Sequence, residues 1–588
     1  MTAKRTIGIS RRTALGLAMA AGAEGAIGIV PGTPMALPAV GQEHHAVLPI
    51  GMNVSGISDW DFGFPFLNLM WGAREWITQN ASGPVPWDTG ATSTLELDEN
   101  GYPMELPTRP EGSGNAQVVA TLLPNTLTPG KYVILYDGEG EIAVQHGSKI
   151  VDAKPGRIEI SMRHDGSNFE YLSIRKSVRG NHIRNVRVLP IEYEHANLEE
   201  NPFRPEVIEF CKPWHCLRFI DWLSTNDSAN QKWSNRKRQT FYTQVGNIGD
   251  ALGLFGEAMP SWKRQWASGV SIELCVRLAN MTKTDAWLCV PHLADDEYIT
   301  EMALLVKDQL DPSLRVYVEF SNEIWNWQFL QATWMLRSEL AGDLVAAAGA
   351  TPPWKGGVKP QQFKDGVVVQ GAGEGVDHPE RIGALFRRCF KIWEDVFTGE
   401  DRKRLVRVCA VQAVWADTVD RTLNWVMANG GCDALAMAGY FGADDDVYRR
   451  WDAAGEKLTA DDVIADMRLM IAKQNDIIAA ATRYARKAGV RLITYEGGQH
   501  IQPQGQAKKP YNPALGAAQR HPEMYELLRQ NMDLYAKAGC DLFLAFNSVS
   551  RQGMQWGSWG HAERYDQAPS EAPKYRAILQ ANARRLAG

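Results

Sequence analysis

Two glutamates stand where chemistry is possible. Glu323 follows the alternating run "RVYVEF" within "EFSNEIWN", and Glu496 closes "VRLITYE" ahead of two glycines. Each is a carboxylate at the end of an apolar stretch, where a buried strand reaches the surface. A facing pair of carboxylates can divide the work of breaking an acetal. One, ionised, attacks the anomeric carbon, while the other, protonated, donates to the departing oxygen. Direct attack needs a separation of roughly 5–5.5 Å. Like charges oppose a second ionisation, so ionising one of the pair keeps the proton on the other. Trp325 and Trp327 follow the first glutamate closely.

Such a pair requires a scaffold that unites distant strand ends. Eight short apolar runs read as strands: 46–56, 215–222, 286–293, 315–322, 404–412, 432–440, 490–496 and 541–548. Amphipathic helices lie between them, as at 296–310, 474–489 and 522–539, with apolar residues at three- and four-residue steps. Several stop on glycine just before the next strand, as in "RKAGVRLITY" and "AKAGCDLFLAF", where a left-handed residue turns the chain back. Repeated strand–helix–strand units imply parallel strands, and eight of them close a (β/α)8 TIM barrel. A doubly wound open sheet is the alternative, but no G-x-G-x-x-G follows the first strand.

The stretch 66–77, "FLNLMWGAREWI", reads as the first barrel helix. The texture then changes to turn-rich alternating strands such as "KYVILYDG" and "RIEISMRHDG". We divide the chain into 45–84, the first part of the barrel; 85–195, an inserted all-β sandwich-like domain; and 196–588, the remaining barrel. A long irregular loop is expected at 349–375, and its "GAGEG" lacks the context of a phosphate cradle. Residues 1–39 read as a signal peptide: Arg11-Arg12, a short apolar run, then small residues near Ala36 to Ala39. Ser10-Arg11-Arg12 with Leu15 resembles a twin-arginine export signal, which implies a periplasmic or extracellular protein.

In a parallel barrel the strand ends converge on one mouth. Read in order, they bring Asn53, Arg218 with Asp221, His292, Asn322-Glu323, Gln412, Tyr440, Glu496, and Asn547 followed by Trp556 and Trp559. Here "EFSNEIWN" resembles the Asn-Glu motif of the clan A retaining glycoside hydrolases, the cellulase-like barrel superfamily. "ITYEGG" is similar to that clan's strand-seven nucleophile motif. The resemblance implies Glu323 as acid/base and Glu496 as nucleophile. It further implies that Asn322 bonds the sugar 2-hydroxyl, Tyr440 orients the nucleophile, Arg218 and His292 buttress the carboxylates, and Trp556 floors the sugar. Ile324 stands where many members have proline, and no histidine precedes Tyr440 by two, so the individual family stays open. Asn53, Trp325 and Trp559 complete the expected substrate-binding set, and the tryptophans beside the ring are assigned to stacking on pyranose faces. Trp60 and Trp222 are weaker candidates. Glu319 shares a face with Glu323 and is assigned to a buried ion pair with Arg218. The glycines after Glu496 are read as allowing close backbone approach to a ligand.

With net charge -6 and 22% charged residues, the chain has no basic surplus for nucleic acid or an anionic membrane. Past the leader no uncharged apolar run reaches the ~18 residues of a membrane span. The eight cysteines form no C-x-x-C pair, so structural zinc is not expected, and Cys211–Cys216 is the one sequence-local pair. The chemistry above needs no metal or organic cofactor. These readings converge on an exported glycosidase of polysaccharides or oligosaccharides, such as a β-glucan. A non-catalytic polysaccharide-binding barrel and a transglycosylase are the alternatives.

Overall fold

The structure, a computed structural model, describes residues 48–586 apart from 59–62, 83–86, 108–116, 125–128, 146, 164–169, 247–264, 266, 349–362, 365–366, 369–376, 413, 554 and 556. The expected leader and most of the loop at 349–375 therefore lie outside the described residues, as do Trp60 and Trp556.

Strand β1 (Ile50–Asn53) begins a parallel barrel. Eight antiparallel strands follow: β2 (Ile77–Asn80), β3 (Gln117–Leu122), β4 (Gly130–Asp137), β5 (Gly140–Gln145), β6 (Ser148–Lys154), β7 (Arg157–Met162), β8 (Tyr171–Ser177) and β9 (Arg184–Pro190). The barrel resumes with β10 (Cys216–Arg218), β11 (Asp285–Val290) and β12 (Val316–Phe320). A two-residue ribbon, β13 (Phe363–Lys364) with β14 (Val367–Val368), precedes β15 (Leu405–Ala410), β16 (Ala434–Gly442), β17 (Arg491–His500) and β18 (Leu542–Ala545). The barrel closes in the order β1-β10-β11-β12-β15-β16-β17-β18. All eight of its strands coincide with runs expected from the sequence, although β11 starts one residue earlier and β16 and β17 continue two and four residues further. Of the expected helices, that at Asp296–Gln309 starts on Asp295, whose side chain caps Tyr298, and that expected at 474–489 begins earlier, as Ala460–Ala488, and ends on left-handed Gly489.

The antiparallel strands form two sheets, β2-β3-β8-β5 and β6-β7-β4-β9. Val119, Leu172 and Ile174 of the first and Ile134, Ile160 and Val188 of the second share one buried apolar cluster, as a sandwich requires. The helix expected at 66–77 is absent. Leu69–Gly72 is a single 3-10 turn with all four residues buried, and Ile77 already pairs with Ala120. An amphipathic helix would need one polar stripe there, and every side is packed instead. The sandwich grips the loop after β10: Tyr242 N–H bonds the Asn100 carbonyl at 2.9 Å, and Tyr102 packs on Tyr242 at 6.1 Å.

Cys211 and Cys216 are separate buried thiols, not a bridge, and all eight cysteines are free and buried. Among the described residues no helix is long and apolar enough to cross a membrane.

The glycines after Glu496 have structural uses of their own. A Cβ on Gly497 would lie 2.4 Å from the Phe543 ring of neighbouring β18, and Gly498 adopts φ 124°. The first glycine makes room for interstrand packing and the second for a left-handed backbone. Gly497→Ala should therefore cost about 1–3 kcal/mol by overpacking, read as a lowered urea midpoint at unchanged slope. An unchanged midpoint would show that the Phe543 ring yields freely.

Candidate active site

The ring of strand ends is organised by Arg218, the last residue of β10, which is fully buried. Its Nε and Nη2 donate to Glu319 Oε2 at 3.1 and 2.9 Å. Nη1 donates to Asn53 Oδ1 at 3.0 Å and to Glu496 Oε1 at 2.9 Å. Nη2 also reaches Asn322 Oδ1 at 2.8 Å. One planar cation thus ties together β1, β12, β17 and the turn after β12. Trp287 adds an indole N–H to Glu319 Oε2 at 2.9 Å, while Glu319 Oε1 is buried without a hydrogen-bond partner among the described residues.

Two departures from regular strand geometry aim the carboxylates. Between β16 and β17 the register moves from Met437↔Thr494 to Ala438↔Glu496, leaving Tyr495 as an extra residue. This bulge lets consecutive residues both point into the barrel. Tyr495 lies under the Arg218 guanidinium, 5.4 Å from ring centre to Cζ, and Glu496 bonds it. After β12, Ser321 (φ 63°) and Glu323 (φ 40°) are left-handed non-glycine residues. Such conformations cost about 1–3 kcal/mol each, so the surroundings must enforce them. They are enforced by Ser321 N–H on the Val290 carbonyl, Gln331 Nε2 on the Asn322 carbonyl, and Asn326 N–H on the Glu323 carbonyl at 2.7 Å.

The result is a linked pair. Tyr495, beside Glu496 in sequence, donates its hydroxyl to Glu323 Oε1 at 2.9 Å. Asn322, beside Glu323, shares the Arg218 guanidinium with Glu496. Glu323 therefore meets the immediate neighbour of Glu496 directly, and Glu496 is joined to the neighbour of Glu323 through one shared cation. Asn326 Nδ2 holds Glu323 Oε2, and the Tyr440 hydroxyl holds Glu496 Oε2, both at 2.9 Å.

The remaining expected residues divide. Trp559 is half-buried and packs on His500 at 4.6 Å and on Tyr440 at 5.7 Å, beside Glu496. Asn53 makes only protein contacts: besides Arg218, its Nδ2 donates to the Tyr495 and Ala545 carbonyls. It braces the ring from beneath and presents nothing to a ligand. Trp325 is 2% exposed, so in place of a stacking surface it is a buried support against Trp415. His292 bonds neither carboxylate. Pro291 ends the pairing of β11, and the ring turns edge-on to Trp334 at 5.4 Å. Both its nitrogens are buried without a hydrogen-bond partner among the described residues, and burial pushes its pKa down to about 3. Trp222 is buried, its indole N–H spent on the Ser55 carbonyl.

Sequence reasoning missed Tyr495, Asn326 and Trp415. A tyrosine next to Glu496 would normally face the other side of the strand, and only the bulge reverses that. Asn326 lies three residues past Glu323, a spacing that the sequence offered but that only the left-handed turn makes meaningful.

Burial raises both carboxyl pKa values. For Glu496 it does so to about 8, against the opposing pull of the Arg218 guanidinium and the Tyr440 hydroxyl. For Glu323 it acts against hydrogen bonds from Asn326 and Tyr495. The two carboxyls titrate as a pair. The first charge settles on Glu496, which alone of the two bonds a cation, and the proton stays on Glu323. A carboxyl raised in the fold destabilises the protein as pH climbs from its unfolded value, 4.5, through its folded value, because the native state holds the extra proton. Glu323→Gln should thus match the wild type near pH 4.5 and exceed it increasingly at higher pH in denaturant titrations. Parallel stability curves for the two proteins would show that Glu323 is not held protonated by burial.

No protein-family model matches the chain, and no curated protein matches it. Similar solved structures include the GH51 arabinofuranosidase from Xanthomonas axonopodis pv. citri, at 13% identity and TM-score 0.33, covering 61% of this chain and 64% of that one. They also include the GH5-4 broad specificity endoglucanase from Clostridium longisporum, at 9% identity and TM-score 0.33, covering 65% and 87%. The family 5 mannosidase from Rhizomucor miehei is similar at 9% identity and TM-score 0.31, covering 65% and 88%. The chain spans 64% of the arabinofuranosidase's own length, less than two thirds. All three are glycoside hydrolases; at these scores the likeness carries no argument about what this chain does, and the reading of its chemistry rests on its own side chains.

Proposed function

We propose that the chain is an exported retaining glycoside hydrolase that cleaves a polysaccharide or oligosaccharide, such as a β-glucan, by double displacement. The observation that carries this reading is a pair of buried glutamates linked through Tyr495 and through Arg218 with Asn322, and differing in their hydrogen-bond partners. Glu496 has a cation and a phenol, which favour charge. Glu323 has two neutral donors, an amide and a phenol, but no bonded cation, and its burial and a charged neighbour favour a proton.

In the first step a Glu496 oxygen bonds to the anomeric carbon as the bond to the leaving oxygen breaks, and the Glu323 proton passes to that oxygen. Esterification removes the charge on Glu496, so Glu323 no longer faces a like charge and becomes a usable base. In the second step water attacks the anomeric carbon, its proton passes to Glu323, and the ester bond breaks to restore the Glu496 carboxylate. Tyr440 and Arg218 aim the nucleophile. Asn322 has one N–H engaged by the Asn226 side chain at 3.0 Å, which leaves its second N–H for a sugar hydroxyl. Trp559 and Tyr440 supply the apolar wall for the retained sugar. The sandwich domain, packed on the loop after β10, would wall one flank of the mouth.

Glu496→Ala should lose hydrolysis by several orders of magnitude, and azide with an activated aryl glycoside should restore turnover as a glycosyl azide of inverted configuration. Undiminished hydrolysis by this variant ends the assignment. Because burial raises the Glu496 carboxyl, the acidic limb of kcat/KM should lie well above 4.5, in the direction of 8. A limb at or below 4.5 would mean that Arg218 outweighs burial.

A further inference from the structure

The aromatic side chains around the two carboxylates fall into two groups. Tyr440, His500, Phe546 and Trp559 contact one another beside Glu496, with ring centres 4.6–6.3 Å apart. Trp325, Trp327, Trp415 and His378 do the same beyond Glu323. Among the described residues no ring contact joins the groups.

The second group contains a braced pair. Trp327 and Trp415 are both half-buried and stack at 6.5 Å with 27° between their planes. Trp415, five residues beyond the end of β15, rests on the edge of buried Trp325 at 5.9 Å and 72°. Trp327 meets the edge of His378 at 5.5 Å, and the His378 Nε2 is within 3.2 Å of the Thr418 hydroxyl. The turn that carries Trp327 also carries the acid. Asn326 bonds Glu323 through both its amide side chain and its backbone N–H, and Gln328 N–H bonds the Asn326 side chain at 3.2 Å. The position of the indole relative to the Glu323 carboxyl is therefore fixed by a hydrogen-bonded turn.

We propose that Trp327 and Trp415 form the binding platform for the departing half of the substrate, and that this half is itself a sugar. The inference rests on the double-displacement reading above. In that chemistry the proton donor lies on the leaving-group side and the nucleophile lies beneath the retained ring. Glu323 and the tryptophan pair are therefore on one side of the scissile bond, and Glu496 with Trp559 on the other. A pyranose offers a face of C–H groups to an indole and keeps its hydroxyls at the rim, the combination that a half-exposed tryptophan accepts. A small alcohol leaving group would gain nothing from two indoles held at this spacing. The substrate class is thus a glycan that continues past the cleaved bond.

The test compares two leaving groups on one retained sugar. The saccharide is the best-cleaved member of a panel of β-linked gluco-, manno- and xylo-oligosaccharides, and the control is the matching glycosyl fluoride, which has nothing to stack. Trp415→Ala and Trp327→Ala should each lower kcat/KM on the oligosaccharide about ten-fold, while fluoride release stays within about two-fold. Trp415→Phe should recover most of the loss, which separates stacking from misfolding, and thermal midpoints check the fold directly. Equal losses on both substrates, or no loss on the saccharide, overturn the inference and leave the double-displacement reading standing. A wild-type protein that cleaves no glycoside or glycosyl fluoride overturns both.

Discussion

The mouth of this barrel is organised by one buried cation with too many anions. Arg218 has five N–H donors in a rigid plane, and its hydrogen-bond partners among the described residues all lie in the ring: Glu319, Glu496, Asn53 and Asn322. A buried guanidinium is tolerable only with paired charge and satisfied donors. Here two carboxylates bond it and a third, Glu323, lies close enough to feel it. One positive charge cannot balance three negative ones in a low-dielectric interior. At least one proton must be retained, and the carboxyl without a direct bond to the cation is the one that keeps it. The division into charged and protonated partners follows from this shortage.

Glu319 makes the shortage sharper. It takes two of the guanidinium's bonds and a further N–H from Trp287, all on a single oxygen. It thereby fixes the plane of Arg218 and weakens that residue's hold on Glu496. A cation devoted wholly to Glu496 would stabilise its charge so well that the carboxylate would be a poor nucleophile. Sharing the cation keeps the orientation and moderates the stabilisation.

Much of this was legible in the chain, for reasons that particular residues show. The eight barrel strands are short apolar runs with glycine-stopped helices before them, signals that depend only on local sequence. Glu323 and Glu496 stood out because polar residues closing apolar strands have few structural uses. What could not be read was anything set by a local break in periodicity. Tyr495 faces inward only because β17 carries an extra residue, and Glu323 rises above Glu319 only because Ser321 and Glu323 are left-handed. The stretch 66–77 misled because its apolar residues are buried on all sides, which helical spacing alone does not reveal. His292 and Asn53 were placed at the mouth by counting strand ends. The count gives height along the axis but not which way a side chain turns, and both turn into the protein.

The same breaks tie Glu323 and its aromatic neighbours into one unit. A regular strand would set Glu323 and Trp325 on one face and Asn326 on the other. The left-handed turn instead folds 323–328 into a compact loop in which Asn326 bonds back to Glu323, Trp325 is driven inward, and Trp327 is left at the surface. Trp325 then supports Trp415 from the next strand's loop, so two loops are locked through one buried indole. Opposite, β16 and β17 stay paired beyond the barrel as far as Gly442 and His500, which carries Tyr440 and His500 to the Trp559 loop. One side of the mouth is thus set by a turn and the other by an extended ribbon. Under the proposed double displacement the glycosidic bond would lie in the gap between them, because that reading needs a charged and a protonated carboxyl within reach of the same acetal.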